Sequence, residues 1–172
     1  MVAGELSERI DKLGRRFLVG EVKQEPCALL KDMYDGFSRT DLTQGLPPSD
    51  QQIRDQWVAN LLKSANNFLA WSHGHVIGHS SLIADLHKGD AEFIVFVSEP
   101  CRNRGIGSEL TLLAVNRGRE LGLHKIWLTV ESFNFRAIRV YQKVGFELSG
   151  EPERERVMVL NLQRAQREID LA

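Results

Sequence analysis

Cysteine, an excess of charge of either sign, and long apolar runs are all scarce in this 172-residue chain. Its two cysteines, Cys27 and Cys101, lie far apart and fit no metal-ligand spacing. A disulfide framework and a cysteine-based metal site are therefore unsupported, and each thiol reads as a packing or loop residue suited to a reducing compartment. The 22 Lys and Arg residues are balanced by 23 Asp and Glu, for a net charge of -1. A dedicated nucleic-acid binder normally carries a basic excess to engage phosphates, so that class is disfavoured. No apolar stretch has the length that crosses a bilayer, and "MVAGELSERI" shows neither the basic start nor the apolar run of a secretion signal. The expectation is a cytoplasmic protein without a membrane segment. Repeats, heptads and low-complexity tracts are also missing.

What remains is an ordinary globular composition, 42% hydrophobic and 26% charged, with enough length for one core. A single domain over residues 1–172 is expected. "RRFLVGEV" (Arg15 to Val22) reads as a first strand, and Pro26 can open a helix carrying Leu29, Leu30, Met33 and Tyr34 on one side. Asp35 to Asp50 is rich in turn formers and reads as a long loop, either a substrate-facing segment or a solvated connector. Ser49 or Asp50 can cap a second helix with Ile53, Trp57, Leu61 and Leu62 recurring at helical spacing. "NFLAWS", a turn at Gly74 and "VIGHSSLI" form a hairpin, followed by the strand "AEFIVFV". A helix over Gly105 to Gly122, the strand "HKIWLTV", a helix from Asn134 to Gly145 and two closing strands, "GFELSG" and "RVMVLNL", complete an α/β pattern around a mixed sheet.

The strand "AEFIVFV" hands over to a helix through "VSEPCRNRGIGSEL". Glycine lets backbone approach a ligand, and a helix N-terminus presents unpaired N–H groups with partial positive charge, so Arg102 to Gly107 reads as an anion cradle. Arg102 or Arg104 adds cationic charge. The lysine and hydroxyl of a P-loop are absent, and Leu110 stands where a dinucleotide-binding fingerprint needs its third glycine.

These residues resemble the acyl-CoA motif of the Gcn5-related N-acetyltransferase (GNAT) superfamily, Gln/Arg-x-x-Gly-x-Gly/Ala, at Arg102, Gly105 and Gly107. A second stretch, "NFRAIRVYQKVGFE", resembles the family's Asn-x-x-Ala-x-x-x-Tyr-x-x-x-Gly-Phe at Asn134, Ala137, Tyr141, Gly145 and Phe146. The resemblance spans Val76 to Leu162. It implies the GNAT fold: a twisted, mostly antiparallel mixed sheet flanked by helices, with two parallel strands splayed at the CoA site.

By this resemblance, backbone groups of Val95, Phe96 and Val97 hold the acetyl-pantetheine arm. The amides of Arg102, Asn103, Arg104, Gly105, Ile106, Gly107 and Ser108 hold the pyrophosphate of acetyl-CoA, and Asn134 contacts the CoA arm while capping its helix. Glu92 is implied as the base that takes the amine's proton and Tyr141 as the acid that protonates the departing thiolate. Members acting on ribosomal-protein N-termini often carry a glutamate where this chain has Thr129; Glu131 lies nearby and is expected on the opposite face. The implied activity is acetyl transfer to a primary amine by direct attack, with a protein lysine as acceptor or, alternatively, a small-molecule amine. A homodimer is implied by resemblance alone. A non-catalytic acyl-CoA module would dispense with Glu92 and Tyr141, and a nucleotide binder would need motifs that are absent. His73, His75 and His79 have no cysteine or carboxylate at metal-ligand spacing and read as a turn followed by a partly exposed strand.

Overall fold

The computed structural model describes residues 6–22, 27–37, 46–151 and 153–162. Pro26, residues 38–45 of the long loop and the tail beyond residue 162 lie outside them. Eight strands form one sheet in the order β1-β2-β3-β4-β5-β6-β8-β7. β1 (Ser7–Ile10), β2 (Arg16–Val22), β3 (Asn66–Ser72), β4 (His75–Asp85) and β5 (Asp90–Val97) run as an antiparallel meander. β6 (Lys125–Glu131) lies parallel to β5, and β8 (Glu155–Asn161) pairs antiparallel with both β6 and β7 (Glu147–Ser149).

The helices divide between the two faces. α3 (Ile106–Glu120) and α4 (Phe135–Val144) cover one, where Ala91, Phe93, Ile106, Leu110, Ile126, Leu128, Met158 and Phe146 make the larger core. α1 (Cys27–Asp35) and α2 (Gln51–Ser64) cover the other with Leu30, Met33, Tyr34, Val58, Leu69 and Trp71. Full burial of each such large side chain contributes roughly 1.5–3 kcal/mol. β5 serves both cores: alternation sends Phe93, Val95 and Val97 toward α3 and α4, and Phe96 toward α1 and α2.

Caps set the helix limits. The Asp50 carboxylate accepts from the Ile53 amide at 2.9 Å, and Gly145, at φ 105°, ends α4 in the left-handed region that favours glycine. α3 comes close to β4 at Gly78, where a Cβ would stand 2.9 Å from Leu110 Cδ1 and 3.1 Å from Ile106 Cγ2. Only glycine lets the first turn of α3 settle that deeply on the sheet.

Three expectations need correction. The polar stretch before β2 contains β1, an edge strand whose exposed Ile10 leaves no apolar signal to read. The inner face of α2 uses Val58 and Leu61, while Ile53 is 62% exposed. β4 is buried along most of its length, with His79 fully enclosed.

Candidate active site

β5 and β6 pair only at Asp90 with Lys125, Ala91 with Ile126 and Glu92 with Trp127. Beyond that step the two parallel strands continue without a shared ladder, so the sheet forks. A cleft of about 940 Å³ occupies the fork. It is lined from β5 by Val95, Phe96 and Val97, from the loop and α3 by Arg102, Asn103, Gly105, Ile106, Gly107 and Ser108, and from α4 by Asn134, Ala137 and Tyr141. Residues far apart in sequence thus meet in one opening because two strand-to-helix junctions sit side by side at the same end of the sheet.

The cradle is built by backbone conformation. Asn103 (φ 63°) and Gly105 (φ 93°) both adopt positive φ, and Gly105 caps α3 without a side-chain hydrogen bond. The amides from Asn103 to Gly107 find no hydrogen-bond partner among the described residues. Those of Arg102 and Ser108 are already committed, to the carbonyls of Glu99 at 3.2 Å and Gly105 at 3.0 Å. The free donors are therefore narrower than the Arg102 to Ser108 span expected from the motif. Gly107 has an ordinary helical φ, and a Cβ there would meet Val97 Cγ2 at 3.7 Å, a normal contact. Folding alone does not demand glycine at that position.

The two arginines of the loop act differently. Arg102 lines the cleft, donates from Nε to the Val97 carbonyl at 3.1 Å and lies over the Phe37 ring, 5.7 Å from its centroid. Arg104 turns inward. Its guanidinium is buried and donates from Nε to Asp11 Oδ2 at 2.5 Å, so the side chain adds no charge to the cleft. Burial pushes the Asp11 carboxyl up, but donation from the Arg15 and Leu13 amides and from Arg104 outweighs it and holds the group below the ordinary carboxylate range. With the Lys12 amide donating to the Arg104 carbonyl at 3.1 Å, this pair fastens the β1–β2 turn to the cradle loop and brings Lys12 to the cleft.

Tyr141 also lines the cleft, with its ring edge-on to Phe93 at 6.5 Å and tilted on Phe146 at 5.9 Å. Burial pushes its phenol up to about 12, and its hydroxyl makes no hydrogen bond among the described residues. The phenol is therefore protonated at neutral pH. Asn134 caps α4 by accepting from the Ala137 amide at 3.2 Å, which leaves its NH₂ for other partners.

Glu92 occupies the last paired step before the fork, opposite Ile83 on β4 and Trp127 on β6. It is half-buried, burial raises its carboxyl above the ordinary value, and it has no ion-pair partner among the described residues. It does not line the cleft itself. Glu131 does. The alternation of β6, with Leu128 and Val130 buried between Thr129 and Glu131, puts these two residues on the same face, contrary to the expectation of opposite faces.

The sequence reading also missed Phe37, Lys12, Arg136, Arg139 and Lys143, all of which line the cleft. The three α4 cations recur at helical spacing, a stripe legible in the sequence; Phe37 lies just past α1, three positions after Tyr34 and four after Met33, so it continues the apolar face of that helix. Among the described residues no three His, Cys, Asp or Glu gather as a metal site, and no helix is long and apolar enough to cross a membrane.

The acetyltransferase (GNAT) family model matches residues 30–146. An L-methionine sulfoximine/L-methionine sulfone acetyltransferase from Pseudomonas aeruginosa is 28% identical over 123 residues, covering 68% of this chain and 72% of that one. Escherichia coli spermidine N(1)-acetyltransferase is 31% identical over 104 residues, 59% of this chain and 52% of the relative. Among solved structures, the GNAT domain of S. lividans PAT superposes with a TM-score of 0.78 at 15% identity, covering 91% of this chain and 96% of that domain. The structure of yncA from Salmonella typhimurium with its cofactor acetyl-CoA gives 0.66 at 20% identity over 85% and 94% of the two chains. The forked sheet, the glycine cradle and the family match agree: this chain belongs to the GNAT family and is an acetyl-CoA-dependent N-acetyltransferase.

Proposed function

We propose that the chain transfers the acetyl group of acetyl-CoA to a small primary amine by direct attack at the fork, with Tyr141 as proton donor and Glu92 as proton acceptor. The observation that carries this reading is the loss of β5–β6 pairing immediately past Glu92 and Trp127. There the cleft takes lining from both faces of the sheet, Val95, Val97 and Tyr141 on one side and Phe37 and Phe96 on the other. Two substrates can meet at such an opening from opposite sides, and fixing both in place can remove roughly 7–11 kcal/mol of barrier.

Bound acetyl-CoA supplies an activated acyl thioester. The free amides between Asn103 and Gly107 suit its pyrophosphate, and Lys12, Arg136, Arg139 and Lys143 add cationic charge around the same cleft. The unpaired edge of β5 from Val95 to Val97 offers backbone groups to the pantetheine arm.

An alkyl amine, with a pKa of about 10.4, reaches the enzyme protonated at neutral pH. Glu92, whose carboxyl is raised above the ordinary value, accepts that proton through a bridging water, since it stands beside the cleft and not in its wall. Tyr141 remains protonated at neutral pH and gives its proton to the departing sulfur.

A small-molecule acceptor is supported by the activities named for the curated relatives. A protein lysine is the second reading, carried only by the resemblance of the Glu92 stretch to protein-lysine acetyltransferases of the family. The test is a panel of spermidine, L-methionine sulfone, L-methionine sulfoximine and a lysine-containing peptide, read by release of CoA thiol and by the mass of the product. Turnover of a small amine is expected; acetylation of the peptide alone would shift the reading to protein lysine. Transfer to none of them, with acetyl-CoA binding intact, would overturn the assignment of the acceptor to a small primary amine or a protein lysine.

A further inference from the structure

A buried polar network behind the cleft takes no part in the chemistry described above. Tyr34 and His79 are 1% and 0% exposed, with Tyr34 Oη 2.7 Å from His79 Nδ1. The proton positions follow from Asn67. Its Nδ2 donates to the carbonyls of Leu61 at 2.9 Å and Ala65 at 2.8 Å, so its Oδ1 is the acceptor for Ser81 Oγ at 2.7 Å and for His79 Nε2 at 3.0 Å. His79 thus carries a proton on Nε2; burial keeps the ring neutral, so Nδ1 accepts from the Tyr34 hydroxyl. One chain of hydrogen bonds ties α1 to β4, β3 and the end of α2.

The Tyr34 ring sits at the centre of an aromatic group. It lies 5.5 Å from Phe37, 5.4 Å from Trp57 and 5.7 Å from Phe96. Phe96 is the residue directly opposite His79 on the neighbouring strand. Phe37 and Phe96, 6.3 Å apart, are the members that reach the cleft, on the side away from Tyr141. An off-centre Tyr34 would move both.

We infer that Tyr34, held by His79, is a positioning residue for the acceptor half of the cleft: it places Phe37 and Phe96 as an apolar wall against which the non-reacting stem of the amine acceptor packs. The inference rests on the amine-acceptor reading above. It assigns to the acceptor an aliphatic or other apolar segment next to its amine.

The experiment is steady-state kinetics of Tyr34→Phe and Phe37→Ala with the best acceptor of the amine panel, alongside calorimetric titration with acetyl-CoA. Tyr34→Phe keeps the ring and removes only the hydrogen bond to His79; Phe37→Ala changes a half-buried residue outside the network and guards against a folding failure of the first variant. Both variants should raise the acceptor KM by roughly five-fold, the scale of one lost buried hydrogen bond or contact. In Tyr34→Phe the acetyl-CoA affinity should stay within about two-fold of the parent, because the ring and every cradle group stay in place; Phe37→Ala also removes the ring beneath Arg102, so that variant is read on the acceptor KM alone. Equal losses for both substrates in Tyr34→Phe, or an unchanged acceptor KM in both variants, would overturn the inference. An unmodified enzyme that acetylates no amine would instead defeat the function proposed above, a result distinguishable from either.

Discussion

Glu92 faces Trp127 across the last rung of the parallel ladder, and the sheet divides one residue later. The carboxylate stands beside the point where the two strands part, next to the cleft and outside its wall. Its half-buried setting raises its proton affinity.

The rate should therefore fall as acidification protonates Glu92, in a limb lying above the ordinary pKa of 4.5 because the folded group is shifted upward. Glu92→Gln should remove that limb and leave a slow reaction that rises with pH as the amine itself deprotonates, near about pH 10. A pH profile of kcat/KM for Glu92→Gln beside Glu131→Gln decides between the two carboxylates. Loss of the limb in Glu131→Gln alone would transfer the role to Glu131.

Tyr141→Phe keeps the contacts with Phe93 and Phe146 and deletes the hydroxyl alone. It should lower kcat by about a hundred-fold or more, the usual scale of a lost general acid, while acetyl-CoA affinity changes little. Stopped-flow measurement of thiol release checks this. A near-normal kcat would remove Tyr141 from the mechanism.

Arg136, Arg139 and Lys143 line the cleft from one side of α4 and have no ion-pair partner among the described residues. Arg139→Glu should weaken acetyl-CoA binding by about five-fold at low ionic strength, with the difference shrinking as salt rises. Titrations at two salt concentrations read it. A loss that does not depend on salt would indicate a packing effect.

His79 has its pKa lowered by burial from 6.5 to about 3. The unfolded chain takes up a proton below about pH 6.5 that the folded chain refuses until near pH 3. Stability should therefore decline as pH falls through this window, by at most about 1.4 kcal/mol per pH unit from this group. His79→Leu should flatten that part of the profile in denaturant titrations. An unchanged slope would mean that His79 is not the group responsible.

The cradle and α4 were legible because each is a contiguous stretch whose spacing mirrors what it does, with glycine where φ is positive at Gly105, glycine lining the cleft at Gly107, and a capping Asn134 one residue before its helix. Long-range partnerships were not. Arg104 looks like a phosphate ligand until Asp11, 93 positions earlier, claims it. His79 looks like a surface residue of a hairpin until Tyr34, 45 positions earlier, encloses it. Lys12 is carried to the cleft only by the Asp11–Arg104 anchor, and the sequence around it has no feature that announces the role. The face of Glu131 was recoverable from the two-residue period of a strand, since it lies two positions after Thr129.

The most direct measurement is calorimetric titration of acetyl-CoA into the unmodified protein and into Gly107→Leu. A leucine there suits the helix and projects from a backbone position lining the cleft. Saturable binding to the unmodified protein, with affinity at least about ten-fold weaker in the variant, equivalent to about 1.4 kcal/mol, is the expected result. Equal affinity for the two proteins, both folded, would place acetyl-CoA away from the glycine cradle and contradict the account.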